Sequence, residues 1–178
     1  MPETTVRIAV LLLAAAFMWA AAAKFFAFPR WKAVIARYGL PAPIDRIAVP
    51  LVPVAELAIA IVMLFISARV GAAAAVGALA LFSLAVLRAR SINGDRLPCG
   101  CFGGTEERHY QTMIWRNTGL GVLAAVVLLA RDEPAAIGTP ASPEGAELLP
   151  AALAVFGGIV VLWTAWQVGA AFRRREDP

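Results

Sequence analysis

Ile47-Ala48-Val49-Pro50-Leu51-Val52-Pro53-Val54-Ala55-Glu56-Leu57-Ala58-Ile59-Ala60-Ile61-Val62-Met63-Leu64-Phe65-Ile66-Ser67-Ala68 is a run of 22 residues with one charge, Glu56. At 1.5 Å of rise per residue such a run reaches about 33 Å as a helix, enough to cross a hydrocarbon core of roughly 30 Å. Working outward, four more stretches of this kind appear, at residues 6–23, 70–87, 112–130 and 148–172. The one at 112–130 is the least apolar. Its uncharged part, 117–130, is short, and full length requires Arg116 just inside, where a long side chain can snorkel. Hydrophobic residues make up 61% of the 178-residue chain and charged ones 16%. Soluble domains sit near roughly 45–50% and 25%. The reading is an all-α integral membrane bundle of about five transmembrane helices, forming one transmembrane domain over 1–178. Ala21, Ala22 and Ala23 offer a signal-peptide cleavage site, but the leader carries Glu3 and a single Arg, a poor basic region. The first stretch is therefore read as a span.

The net charge of +4 does not point to nucleic acid, because the basic residues lie between apolar runs and form no stripe on a polar domain. Five spans send alternate connections to opposite sides. One side then receives Arg7, Arg69 and Arg131, and the other receives the remaining thirteen Lys and Arg residues. The positive-inside rule puts the amino terminus outside and the carboxyl terminus in the cytoplasm of a bacterial inner membrane. Trp31, Trp115, Trp163 and Trp166 fall towards the inner face, as an interfacial belt would.

Between the first two spans, residues 29–39 read as a short helix with Pro29 at its start and Gly39 at its end. Trp31, Val34, Ile35 and Tyr38 share one stripe at i, i+3, i+4 and i+7, so the helix is expected at the interface with its basic face to lipid head groups. The small-residue stretch from Gly71 to Gly77 permits close helix packing and serves equally as filler. Residues 132–147, rich in Pro, Gly, Ala and acid, read as a flexible outer connection.

Chemistry concentrates in the loop 91–111. Its Leu97-Pro98-Cys99-Gly100-Cys101-Phe102-Gly103-Gly104 holds both cysteines of the chain. Pro before the pair and Gly between and after favour a turn that aims both sulfurs one way. A disulfide across one residue closes a small ring, and strained disulfides are the labile, redox-active kind. So short a loop gives little chain-entropy stabilisation, which argues against a structural bridge. Zinc is the competing reading, although this chain offers only Cys99, Cys101 and His109 towards the usual four ligands.

At this loop the sequence resembles the MauE group of the MauE/DoxX superfamily. Cys-Gly-Cys-Phe-Gly follows three apolar spans and precedes Arg116-Asn117. Lys24 closes the first span, Tyr38-Gly39-Leu40-Pro41 fills the first connection, and Pro53-Val54-Ala55-Glu56 lies in the second span. The resemblance covers most of residues 8–130 and implies a redox-associated membrane protein. MauE proteins serve the maturation of methylamine dehydrogenase, a periplasmic enzyme rich in disulfides, beside a thioredoxin-like partner. The implied function is thiol–disulfide electron transfer through Cys99 and Cys101, with a quinone in the bilayer or a second protein as the other carrier. A non-catalytic assembly factor and a thiol-based metal transporter are the alternatives. The charge count sets the cysteine loop on the cytoplasmic side while the implied clients are periplasmic, which alternating access would reconcile.

Four further residues are candidates. Glu56, a carboxylate in mid-span, reads either as a proton carrier for thiol chemistry or as the structural partner of Lys24 or Arg116. His109, the sole histidine, either tunes a thiolate or is an exposed member of the charged run Glu106-Glu107-Arg108. Arg116 and Lys24 either lower a cysteine pKa or snorkel to the interface.

Overall fold

The computed structural model describes residues 3–98 and 107–130. The chain divides into two units, Met1–Ala136 and Ile137–Pro178, and the described residues all belong to the first. The expected fifth span at 148–172, the outer connection 132–147, Trp163, Trp166 and both cysteines lie outside the described residues.

Four of the described helices are long and apolar enough to cross a membrane: α1 (Glu3–Phe26), α3 (Ile44–Phe65), α4 (Ala68–Asn93) and α5 (Tyr110–Leu129). The short helix α2 (Phe28–Arg37) follows α1, with proline in its first turn. Packing runs from α1 to α3, from α3 to α4 and from α4 to α5, and closes through α1 against α5. The result is an all-α membrane bundle. Outward faces are apolar, with Ile8, Leu12, Leu81, Leu84 and Leu129 all exposed. Lipid-facing helices need this, since hydrocarbon offers polar groups no partner.

Two boundaries differ from the sequence reading. The turn between the second and third spans lies at Ile66 and Ser67, earlier than the limits 47–68 and 70–87 imply. Ser67 is the reason: its Oγ accepts from Val70 N at 3.2 Å, capping α4 and placing Arg69 inside the first helical turn. At its other end α4 continues past Arg88 to Asn93, because a helix does not stop where the apolar run stops. The last two turns hold their own partners, with Arg90 Nε donating to Asp95 Oδ1 at 2.8 Å and Asn93 Nδ2 donating to Arg37 O at 2.7 Å.

The loop between α4 and α5 contains a feature that periodicity did not reveal. Strands β1 (Arg96–Pro98) and β2 (Glu107–His109) pair antiparallel, with Pro98 opposite Glu107 and Arg96 opposite His109. Three-residue strands are too short to leave a pattern of alternation.

Polar side chains link the helices inside the bundle. Asn117, buried in α5, donates to Ser83 Oγ of α4 at 3.2 Å, and Ser83 donates in turn to Leu79 O at 2.8 Å. Arg69 donates to Ala130 O at 2.8 Å, satisfying a carbonyl at the end of α5. Of the two glycines of the stretch 71–77 in α4, Gly71 is the one with a packing reason. A Cβ there would lie 2.5 Å from Met63 Cβ and 2.6 Å from Met63 Cα, whereas one at Gly77 would meet nothing within 4 Å.

Candidate functional site

Antiparallel alternation brings the end of α1, all of α2, the start of α3, the end of α4, the β1–β2 ladder and the start of α5 to one end of the bundle. A single cluster of buried side chains ties α2, α3, α4, β1 and α5 together there. It contains Trp31, Val34, Ile35 and Tyr38 of α2 and its cap, Val49 of α3, Val86 and Ala89 of α4, Leu97 of β1 and Met113 of α5. The stripe expected on α2 is thus its attachment to the bundle. The opposite face, with Arg30, Lys32 and Arg37, is exposed.

Immediately below α2 lies the buried ion pair. Lys24 and Glu56 have side chains only 2% and 3% exposed. Lys24 Nζ donates to Glu56 Oε1 at 2.7 Å and to Oε2 at 2.8 Å, with Ala20 O as a further acceptor at 3.3 Å. The Lys24 ammonium also sits 5.1 Å from the centroid of the Trp31 ring. Two carboxylate oxygens, a backbone carbonyl and an aromatic face therefore replace the water such a cation would otherwise need. Lys24 does not snorkel. A carboxylate within reach removes the reason to do so, and the pairing is the one named for Glu56 as a structural alternative.

Trp31 also departs from its expected place in a lipid-facing belt. It is buried, and its indole Nε1 donates to Val49 O at 2.9 Å. That carbonyl is available for a reason visible in the sequence. Residue 53, four positions on, is proline, which has no N–H to return. Trp31 lies two turns beyond Lys24, and Val49 lies two turns before Glu56. The ion pair and the indole hydrogen bond thus share one antiparallel register between α1–α2 and α3. Trp115, by contrast, is exposed on α5.

The ladder shapes the approach to the cysteines. Leu97 is fully buried and Pro98 is buried beside it, and Cys99 follows by one peptide bond. The chain enters the stretch 99–106 at Pro98 and leaves it at Glu107, directly opposite. Around this base Arg37 donates to Glu107 Oε1 at 2.8 Å, Tyr110 N donates to Asp95 O at 3.0 Å, and Arg90 lies 4.0 Å over the Tyr110 ring.

His109 is exposed, next to Tyr110 with ring centroids 5.1 Å apart. Arg116, half-buried and nearly two turns into α5, donates to Asn117 Oδ1 at 3.2 Å. The structure thus joins Lys24 to Glu56 and sets His109 on the ladder. It adds Trp31, Val49, Leu97 and the Asn117–Ser83 pair, which sequence reasoning did not select. The proline spacing was the signal that could have found Val49, and polar residues within apolar runs the signal for Ser83 and Asn117.

No curated protein and no solved structure matches the chain. The family model described as Methylamine utilisation protein MauE matches residues 2–130. That range takes in α1 to α5 and the stretch with Cys99 and Cys101, so this multi-pass membrane chain belongs to the MauE family.

Proposed function

We propose that this chain is a membrane thiol–disulfide relay in which Cys99 and Cys101 cycle between dithiol and disulfide. The observation that carries the reading is the β1–β2 ladder. It fixes the two ends of the cysteine-bearing stretch side by side, on a buried anchor at Leu97, at the bundle end that also holds the Lys24–Glu56 pair.

The chemistry balances without a free intermediate. One cysteine thiolate attacks a sulfur of a disulfide on a thioredoxin-like partner, forming a mixed disulfide. The second cysteine displaces the partner's thiol, so two electrons and two protons pass to the partner. Reduction of a bilayer quinone to quinol, or of a second protein disulfide, runs the same balance with another acceptor, and either exchange works in reverse. One cysteine pair must meet both donor and acceptor. Glu56, held by Lys24, is the group assigned to the accompanying protons, with His109 and Arg116 as the residues that tune the thiols. The resident membrane is a bacterial inner membrane, with the basic end of the bundle in the cytoplasm, following the thirteen-to-three partition of Lys and Arg.

The test is trapping with a thiol-alkylating mass tag in membranes poised at graded redox potentials. The expected result is two labels or none, shifting with potential, and a mixed disulfide with the natural partner in Cys99→Ser or Cys101→Ser. Two labels at every potential would remove the disulfide cycle and leave the assembly-factor or metal-transport reading.

A further inference from the structure

We infer that Arg30, Lys32 and Arg46 form a binding surface for the head groups of anionic phospholipids, where α1, α2 and α3 meet. The inference rests on the bundle and not on the relay.

The hydrogen bond from Trp31 Nε1 to Val49 O, 2.9 Å long, holds the first turns of α2 against α3. Arg30 and Lys32 adjoin Trp31 in sequence and lie on either flank of the buried stripe of α2. Arg46 precedes Val49 by three residues, so it lies one turn further out on the same side of α3. Three exposed cations thus surround one interhelical hydrogen bond. Like charges gathered this closely repel one another unless anions offset them. The carboxylates at this end of the bundle are engaged elsewhere. Glu107 accepts from Arg37 and Asp95 accepts from Arg90, both at 2.8 Å, while Asp45 Oδ1 accepts from the backbone N of Arg46 at 2.7 Å. Among the described residues Arg30, Lys32 and Arg46 have no ion-pair partner. The opposite end is different: there Arg7 is paired with Glu3, and Arg69 donates to the Ala130 carbonyl.

The surface beside the cations identifies what carries the anion. Phe25, Phe26 and Phe28, at the junction of α1 and α2, are all exposed, and Phe26 reaches 88%. A free phosphate or an acidic protein would meet the charges and leave these rings in water. A phospholipid brings a phosphate to the guanidinium groups and acyl chains to the rings. The apolar stripe of α2 is spent on the bundle, so this helix engages lipid through its charged flanks rather than by inserting that stripe.

The test uses the full-length protein in detergent micelles, titrated with dioleoylphosphatidylglycerol or with dioleoylphosphatidylcholine. Native mass spectrometry counts the lipids retained, and circular dichroism checks the helix content. The wild type should retain the anionic lipid in preference to the zwitterionic one. A basic residue at an anionic surface contributes about fivefold in binding. Arg30→Gln, Lys32→Gln and Arg46→Gln together should therefore lower the affinity for phosphatidylglycerol at least about tenfold and leave that for phosphatidylcholine unchanged. Glu3→Gln with Arg7→Gln, at the opposite end, should stay within about twofold of the wild type. If the triple variant does not assemble, Arg30→Gln and Arg46→Gln made singly should each lower the affinity about fivefold. sn-Glycerol 3-phosphate in excess over the lipid should not displace it, because the head group alone leaves the rings uncovered. Equal retention of the two lipids by the wild type, or an unchanged phosphatidylglycerol affinity in the triple or both single variants, overturns the inference. Displacement by glycerol phosphate also overturns it, since the surface would then take a free phosphate.

Discussion

Replacing Lys24 with Met tests the centre of the bundle. The substitution is close in length, so it leaves little cavity, but it strands the Glu56 carboxylate at 3% exposure without the ammonium that sits 2.7 and 2.8 Å from its oxygens. Removing one partner of a buried pair typically costs about 3–5 kcal/mol, most of it the penalty on the charge left behind. Replacing both partners by apolar residues of similar size is often neutral or stabilising, because neither ion then has to leave water. Lys24→Met alone is accordingly expected to destabilise by about 3–5 kcal/mol, and Lys24→Met with Glu56→Leu to fall within about 1 kcal/mol of the wild type. Glu56→Gln retains an acceptor for Nζ and should lie between them. Unfolding in mixed micelles with increasing dodecyl sulfate, followed by circular dichroism, measures all three. If the double variant loses as much as the sum of the single ones, the two charges do not depend on each other and the reasoning fails.

Four other outcomes are expected. Trp31→Phe should cost about 1–3 kcal/mol in the same assay, since it leaves the Val49 carbonyl buried without a donor. Gly71→Ala should destabilise by about 1–3 kcal/mol through its clash with the Met63 backbone, while Gly77→Ala should be neutral or slightly stabilising; equal effects would refute the packing account of Gly71. Asn117→Leu should cost on the order of 0.6–1.7 kcal/mol for the lost interhelical hydrogen bond to Ser83, and should cost less in a Ser83→Ala background, where only the contact with Arg116 remains to be lost. A reporter fused after Arg175 should be active only when it is a cytoplasmic one, and periplasmic activity there would reverse the orientation.

Four of the expected spans were legible because lipid imposes a long apolar run that leaves its mark in any sequence, and the fifth lies outside the described residues. The cap at Ser67 and the extension of α4 to Asn93 were not, because hydropathy reports the bilayer and not where a helix finds its last hydrogen bond. The stripe on α2 was read correctly as apolar, but a single chain cannot say whether such a stripe faces lipid or protein. Trp31 was for that reason assigned to a belt it does not join. The Lys24–Glu56 pair was half legible: a carboxylate in mid-span needs a partner, and two candidates were in reach. The ladder was invisible, since Arg96 to Pro98 and Glu107 to His109 are too short to show a period, and Pro98 argues against a strand on propensity alone.

The carbonyl of Val49 has a genetic consequence. Pro53 creates the vacancy that the Trp31 indole fills, so the effect of a mutation at one position depends on the residue at the other. With Pro53 present, loss of the indole orphans a carbonyl. After Pro53→Ala, α3 supplies its own amide to that oxygen, and the indole donor becomes dispensable for this bond. The order of substitution therefore matters: a lineage that first exchanges Pro53 for alanine can replace Trp31 at reduced cost, while one that changes Trp31 first meets a fitness valley. Relatives that lack the tryptophan are expected to lack the proline as well.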